Sequence, residues 1–261
     1  MPTRPLALVT GASAGLGVEF AKLLAKDGYD LVLVARRLDR LEELAKSLQS
    51  QHGITTHCIS VDLSLPDAAV TVDKYLKEHN LQVDVLINNA GFGALGKFVD
   101  IDLQEQLRMI QVNVSTLVHL TGLLMPGMIA RGKGRVMNVA STAAFQPGPL
   151  MAMYYATKAF VLSFSEAVHH EIRKTGVTVT CVCPGPTPTE FQQAAKMEES
   201  KMFNSRMMVD PATVAKVGYE AMLKGKRLVI PGKLTNVLAF ATRLTPRGMV
   251  LRVAERMQKG K

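Results

Sequence analysis

Leu6-Ala7-Leu8-Val9-Thr10-Gly11-Ala12-Ser13-Ala14-Gly15-Leu16-Gly17 is the stretch on which the reading of this chain turns. A short apolar run enters a turn with glycines at 11, 15 and 17, and an amphipathic run to Asp27 follows. A strand that passes through a glycine turn into a helix brings backbone N–H groups to the positive helix end, where a pyrophosphate is held. Glycines alone would mark an ordinary turn. Their place after the first strand makes a nucleotide site the better reading.

The same alternation continues outward from this turn. Apolar strand-like runs lie at 31–35, 57–63, 83–91, 134–141, 177–185 and 228–230. Amphipathic stretches between them predict helices at 38–50, 65–79 (opened by Pro66), 102–131, 152–174 and 211–223. Strands alternating with crossover helices give a doubly wound α/β fold with a parallel sheet. Such a sheet binds its ligand at the carboxyl ends of the strands, where the strand order reverses. No internal repeat or linker divides the chain, so one domain is expected.

The composition of the 261 residues excludes several classes. At 48% apolar and 20% charged, the chain buries a core and is not disordered. Cys58, Cys181 and Cys183 have neither disulfide nor metal spacing, and the six histidines pair with no acid or cysteine, so no metal is expected. The start fits no signal peptide, and no apolar run is expected to approach the roughly 18 residues of a membrane span. The expectation is a cytoplasmic protein. The net charge of +9 sits at one end: from Lys224 onward there are ten basic residues and one acid, Glu255. A nucleic-acid enzyme would carry its basic groups along a groove in the body, so no nucleic-acid partner is expected.

Two further places carry chemistry. Strand two ends in Ala35-Arg36-Arg37, where an acid would read the ribose hydroxyls of NAD. Arginine instead makes charge-assisted bonds to a phosphate, which favours NADP(H), with Arg36 the first choice and Arg37 the second. After strand five stands Ser141, then Tyr154 with Lys158 one helical turn beyond. Residues at i and i+4 share a face, so the ammonium can approach the phenol and lower its pKa from about 10. Tyr154 could then exchange a proton with a carbonyl or alcohol oxygen that Ser141 orients. Tyr155 competes for this role, but its i+4 residue is Ala159.

Taken together, these motifs resemble the short-chain dehydrogenase/reductase family in its compact single-domain branch. Thr10-Gly11-x-x-x-Gly15-x-Gly17 matches the cofactor turn, and Asn88-Asn89-Ala90-Gly91 the motif after strand four. Asn113, Ser141, Tyr154 and Lys158 match the catalytic tetrad, and Pro184-Gly185 with Thr189 the motif after strand six. The resemblance implies a Rossmann fold and an oxidoreductase moving a hydride between NADP(H) and a carbonyl or secondary alcohol. It implies Tyr154 as general acid/base, Lys158 as its helper and ribose ligand, Ser141 as substrate anchor, and Asn113 as holder of a relay water. Cofactor contacts implied are Gly11, Ser13, Gly15, Leu16, Gly17, Arg36, Arg37, Asp62, Leu63, Asn89, Ala90, Gly91, Pro184, Gly185, Thr187 and Thr189. Ala14 stands where many NADP-dependent relatives have a basic residue, which leaves Arg36 as the main phosphate ligand.

Residues 1–232 would form the cofactor-binding oxidoreductase domain and 233–261 its basic amphipathic extension. Within Pro246–Lys261, Val250, Val253, Ala254 and Met257 recur at helical spacing, with Arg252, Arg256 and Lys259 elsewhere. Docking of that stripe on the substrate end or on a second subunit is expected ahead of peripheral membrane contact. Met151 and Met153 flank the tyrosine, and Met197, Met202, Met207 and Met208 would cover a changeable apolar pocket. A homo-oligomer, dimer or tetramer, acting on a small apolar carbonyl or alcohol is the expectation. A cofactor-binding sensor with little turnover is the rival, and it has no need of Ser141, Tyr154 and Lys158 together.

Overall fold

Continuous apolar strands bury both of their faces, and that decides the layering. In β1 (Leu6–Thr10), Ala7 and Val9 join one core layer while Leu6 and Leu8 join the other. β2 (Asp30–Ala35) repeats this with Leu31 and Leu33 against Val32 and Val34. β3 (Thr56–Ser60), β4 (Val83–Asn88), β5 (Gly134–Val139), β6 (Val177–Val182) and β7 (Leu228–Val229) complete the sheet. All seven strands are parallel, in the order β3-β2-β1-β4-β5-β6-β7. The order reverses between β1 and β4, which opens a crevice at their carboxyl ends. The computed structural model describes residues 4–195, 208–242 and 244–258.

One face of the sheet is covered by α1 (Gly15–Lys26), α2 (Leu38–His52) and α8 (Pro211–Leu223), through Phe20, Leu24, Leu41, Leu48 and Met222. Tyr219 of α8 also donates to Asp27 at 2.7 Å, tying that helix to the end of α1. The other face is covered by α3 (Ala68–Glu78), α5 (Leu117–Ala130) and the end of α6 (Ala152–Glu171), through Val72, Leu76, Leu120, Met128 and Ile172. Each such side chain contributes about 1.5–3 kcal/mol on burial. The doubly wound fold is the one expected.

Several boundaries differ from the sequence reading. β3 stops at Ser60 because Asp62 accepts from the Ser64 amide at 2.9 Å and starts a turn, so α3 begins at Ala68 rather than 65. β4 stops at Asn88 because Asn89 folds back onto Thr10. The long helix at 102–131 is α4 (Leu103–Ile110), a π-helical segment (Gln111–Thr116) and α5. The expectation that no apolar run approaches spanning length is corrected here: Leu103–Ala130 is long and apolar enough by composition. In the fold this stretch packs against the sheet, with Met109, Leu117, Leu120 and Met128 buried. α7 (Phe191–Ala194) is helical where no helix was expected, and α9 (Lys233–Ala241) opens the C-terminal extension, whose helical character was expected.

The tail forms α10 (Arg247–Gln258). Its buried row is Val250, Ala254 and Gln258, at i, i+4 and i+8. Val253 was expected in that row and is exposed instead, because it lies off the i+4 line. Arg252 and Arg256 are exposed, and Lys259 lies outside the described residues.

Candidate active site

The glycine turn is a cradle without room for side chains. A Cβ on Gly17 would lie 2.2 Å from the Gly11 carbonyl oxygen, and Gly15 has φ +56° with Thr189 against it. Ala14 offers no side-chain cap to α1 and the first helical turn holds no acid, so its N–H groups remain for an anion. Thr10 and Asn89 hold the turn in place. The Thr10 hydroxyl accepts from the amides of Asn89 and Ala90, and the Asn89 side chain donates to the Thr10 carbonyl at 2.9 Å and to Gly11 at 3.3 Å. Asn89 thus shapes the cradle with its amide rather than reaching across it.

A single cavity of about 810 Å³ runs along this crevice. At one end it is walled by Arg36, Arg37, Asp62, Leu63 and Arg108, and at the other by Ser141, Tyr154, Lys158 and Thr187. Gly11, Ser13, Gly15, Leu16, Ala90, Gly91, Pro184, Gly185 and Thr189 lie between or beside them. The crevice therefore brings together the expected site residues, apart from Gly17 and Asn113, which stand behind its wall. The donors and the bare helix end suit a phosphate-bearing dinucleotide. Among the described residues no group of three or more His, Cys, Asp or Glu could hold a metal ion.

The two arginines are not equivalent. Arg37 donates to the Ser13 hydroxyl at 3.2 Å and pairs with Glu190 at 2.9 Å. Glu190 also pairs with Arg40, and these contacts, Arg40 first, hold its carboxyl below the usual range despite partial desolvation. Arg36 is exposed on the cavity wall with no side-chain hydrogen bond among the described residues. Burial works to raise the Asp62 pKa, but the Ser64 hydrogen bonds, then Arg36 and Arg108, bring it below its ordinary value.

At the opposite end Tyr154 sits in the first turn of α6. Its ring lies 5.2 Å from that of Phe191, and its hydroxyl neighbours the Ser141 side chain. Ser141 is itself fixed by accepting from the Ala143 amide at 3.1 Å, as the N-cap of a 3-10 turn (Thr142–Phe145). Burial raises the Tyr154 pKa well above 10, and the neighbouring Ser141 hydroxyl opposes this only in part. The expectation that Lys158 lowers it is corrected: the Lys158 ammonium lies 5.8 Å from the ring centroid and donates to the Val139 carbonyl at 2.8 Å. Burial pushes Lys158 itself down to about 8.

Asn113 stands in the π-helical segment, a distortion often found at functional sites. It accepts from the Phe92 amide and donates to the Phe92 carbonyl and the Thr157 hydroxyl. These bonds commit its side chain to the protein, so it clamps the loop after β4 to the helix carrying Tyr154 and Lys158. A Cβ on Gly91 would lie 3.0 Å from Asn113 Oδ1 and 3.3 Å from Lys158 Nζ. Below them Asn88 donates to Asn138 and Thr121, and Asn138 to Ser165, a buried ladder joining β4, β5 and α6.

Residues 5–200 match the family model described as short chain dehydrogenase. The chain belongs to the short-chain dehydrogenase/reductase family. It is an oxidoreductase fold, and its relatives agree. It is 32% identical over 258 residues to a very-long-chain 3-oxoacyl-CoA reductase of Danio rerio, covering 97% of this chain and 78% of that one. With the Rattus norvegicus very-long-chain 3-oxoacyl-CoA reductase it shares 35% identity over 194 residues, 73% of this chain but only 62% of the relative's length. Among solved structures it is similar to a short-chain dehydrogenase from Sphingobium yanoikuyae in complex with NADPH. That match has a TM-score of 0.83 and 30% identity, covering 94% of this chain and 95% of the other.

The site of this short-chain dehydrogenase/reductase also contains residues that the sequence did not single out. Phe92, Arg108, Glu190, Phe191 and Gln258 line the cavity. Leu150, with φ +67°, turns its carbonyl to accept from the Gly96 amide at 2.8 Å and so joins two loops beside Tyr154. Met151 is buried in the cavity wall, and Met208 is exposed. Met197, Met202 and Met207 lie outside the described residues.

Proposed function

We propose that this chain is an NADP(H)-dependent reductase of apolar ketones, reversible to the secondary alcohol. The observation that carries the reading is that Ser141, Tyr154 and the buried Lys158 meet in the cavity wall, at the end of a crevice that begins at the glycine cradle. A dinucleotide held by its phosphates at the glycine cradle and the Arg36 wall would supply a hydride to the substrate carbon from its nicotinamide end. Ser141 would hold the carbonyl oxygen, and Tyr154 would donate its hydroxyl proton to that oxygen as the alcohol forms. Its raised pKa keeps the hydroxyl protonated across neutral pH, the form reduction requires. Lys158, charged below about 8, would hold the ribose at the nicotinamide end of the cofactor.

NADPH in the complexed neighbour and the exposed Arg36 support NADP(H) over NAD. The apolar wall of Met151, Ala143 and Phe191, and the names of the reductase relatives, support an apolar carbonyl substrate. Exposed Leu103 and Leu107 on α4 and Phe160 on α6 support a homo-oligomer. The test is NADPH binding by fluorescence, followed by a ketone panel read as loss of NADPH absorbance. Tyr154→Phe should retain NADPH binding and lose at least about a hundredfold in turnover. Full turnover in Tyr154→Phe with loss in Tyr155→Phe would refute the assignment.

A further inference from the structure

A helix on the surface of a globular fold turns its apolar row inward and its polar rows to water. α9 reverses this. Its buried row is Thr235 and Ala239, whereas Leu234, Val237, Leu238 and Ala241, at i, i+3, i+4 and i+7, are exposed. α10 docks on the protein through Val250, Ala254 and Gln258 and leaves Met249 and Val253, one turn apart, in solvent. Leu244, between the two helices, is 91% exposed. Single exposed leucines are ordinary, but apolar residues recurring at helical spacing on the outer side mark an interaction surface.

Both helices meet Phe145: Thr242, at the end of α9, donates to its carbonyl at 3.3 Å, and Arg247 and Leu251 of α10 line a small cavity with it. The charge beside the apolar residues decides what covers them. Residues 233–258 carry five basic groups and one acid, Glu255. Arg252 and Arg256, also one turn apart, follow Met249 and Val253 round α10, while Lys233 and Arg247 open the two helices, and all four cations are exposed. A second copy docked across a two-fold axis would set these cations against themselves. An anionic lipid surface instead takes the apolar side chains below its headgroups and pairs its phosphates with the cations. At 9 and 12 residues, α9 and α10 are long enough to lie on a bilayer and too short to cross it.

We propose that α9 and α10 form a membrane-docking surface that seats this chain reversibly on anionic bilayers. Leu234, Val237, Leu238, Met249 and Val253 enter the headgroup boundary, and Arg252 and Arg256 pair with lipid phosphates. Docking needs neither NADPH nor a ketone, so it stands or falls apart from the reductase reading.

The test is sedimentation of the full chain with extruded vesicles, either pure phosphatidylcholine or equimolar phosphatidylcholine and phosphatidylglycerol. The wild type should bind the anionic vesicles at least about tenfold more tightly than the neutral ones, and lose most of that binding between about 0.05 M and about 0.5 M salt. Leu234→Gln with Leu238→Gln, and separately Arg252→Gln with Arg256→Gln, should each lower binding to anionic vesicles at least about tenfold. All four positions are exposed, so NADPH binding and melting temperature should match the wild type. A wild type that stays in the supernatant with anionic vesicles, or binds neutral ones equally, overturns lipid docking whether or not the variants fold. So does unchanged binding in either folded variant. Light scattering without lipid gives the remaining outcome: fewer subunits in both variants would assign the face to a second copy of the chain and overturn lipid docking.

Discussion

Lys158 is the residue whose removal reports most about the site, because its burial has a cost that pH can switch off. It is 5% exposed, with its ammonium on the Val139 carbonyl and no carboxylate paired with it among the described residues, and burial brings its pKa from 10.5 to about 8. At about 1.4 kcal/mol for each pH unit, the folded protein carries roughly 3 kcal/mol for that charge at neutral pH. The unfolded chain keeps the proton up to about 10.5, so between 8 and 10.5 it binds more protons than the folded one, and stability contributed by this group rises with pH. Below 8 the whole penalty is present. Lys158→Met removes the titration but leaves the Val139 carbonyl unpaired, an offset of about 1–3 kcal/mol that does not vary with pH. Urea unfolding of both proteins should therefore show the wild type gaining about 2–3 kcal/mol on the variant between pH 7 and pH 10. Parallel stability curves would refute a buried, depressed lysine. The same titration should appear in catalysis: ketone reduction falls as pH rises through about 8. Lys158→Arg, charged throughout, should move that limb upward if it retains turnover.

Arg36→Leu should weaken NADPH by about 1.5–3 kcal/mol while changing NADH little, since the exposed guanidinium is read here as the 2′-phosphate ligand; fluorescence titration of both cofactors checks it, and equal losses would sink the assignment. Glu190→Gln releases Arg37 and Arg40 from a half-exposed ion pair worth at most about 1 kcal/mol. The NADPH-to-NADH affinity ratio should then rise up to about fivefold, and an unchanged ratio would mean that Arg37 never reaches the phosphate.

The fold was legible because each strand is short, apolar and followed by a helix, and the parallel sheet has two buried faces to match. The glycine turn and the Ser141, Tyr154 and Lys158 spacing were legible because local backbone needs fix them: no side chain fits at Gly17, and i+4 residues share a face. Roles were harder to read than positions. Spacing put Lys158 near Tyr154, but the ammonium's partner is the Val139 carbonyl of a strand 19 residues earlier. Asn113 could be placed in a motif, yet its clamp on Phe92 and Thr157 depends on a π-helical turn that periodicity does not signal.

The tail shows why the substrate end is the least legible part. Helical periodicity reports which face of α10 is apolar, and it grouped Val250, Ala254 and the exposed Val253 into one stripe. It gives no weight to a glutamine, and the hydrogen bond that holds Gln258 reaches Tyr155 across 103 positions of chain. The cradle and the proton donor serve a cofactor and a reaction shared across the family, so their residues stand at fixed local spacing. The cavity wall where α10 meets α6 has no such spacing, because that encounter is set by tertiary packing. A relative with the same motifs and a different final helix should therefore bind the same cofactor and select a different ketone, and exchanging α10 between two such chains should move KM far more than NADPH affinity.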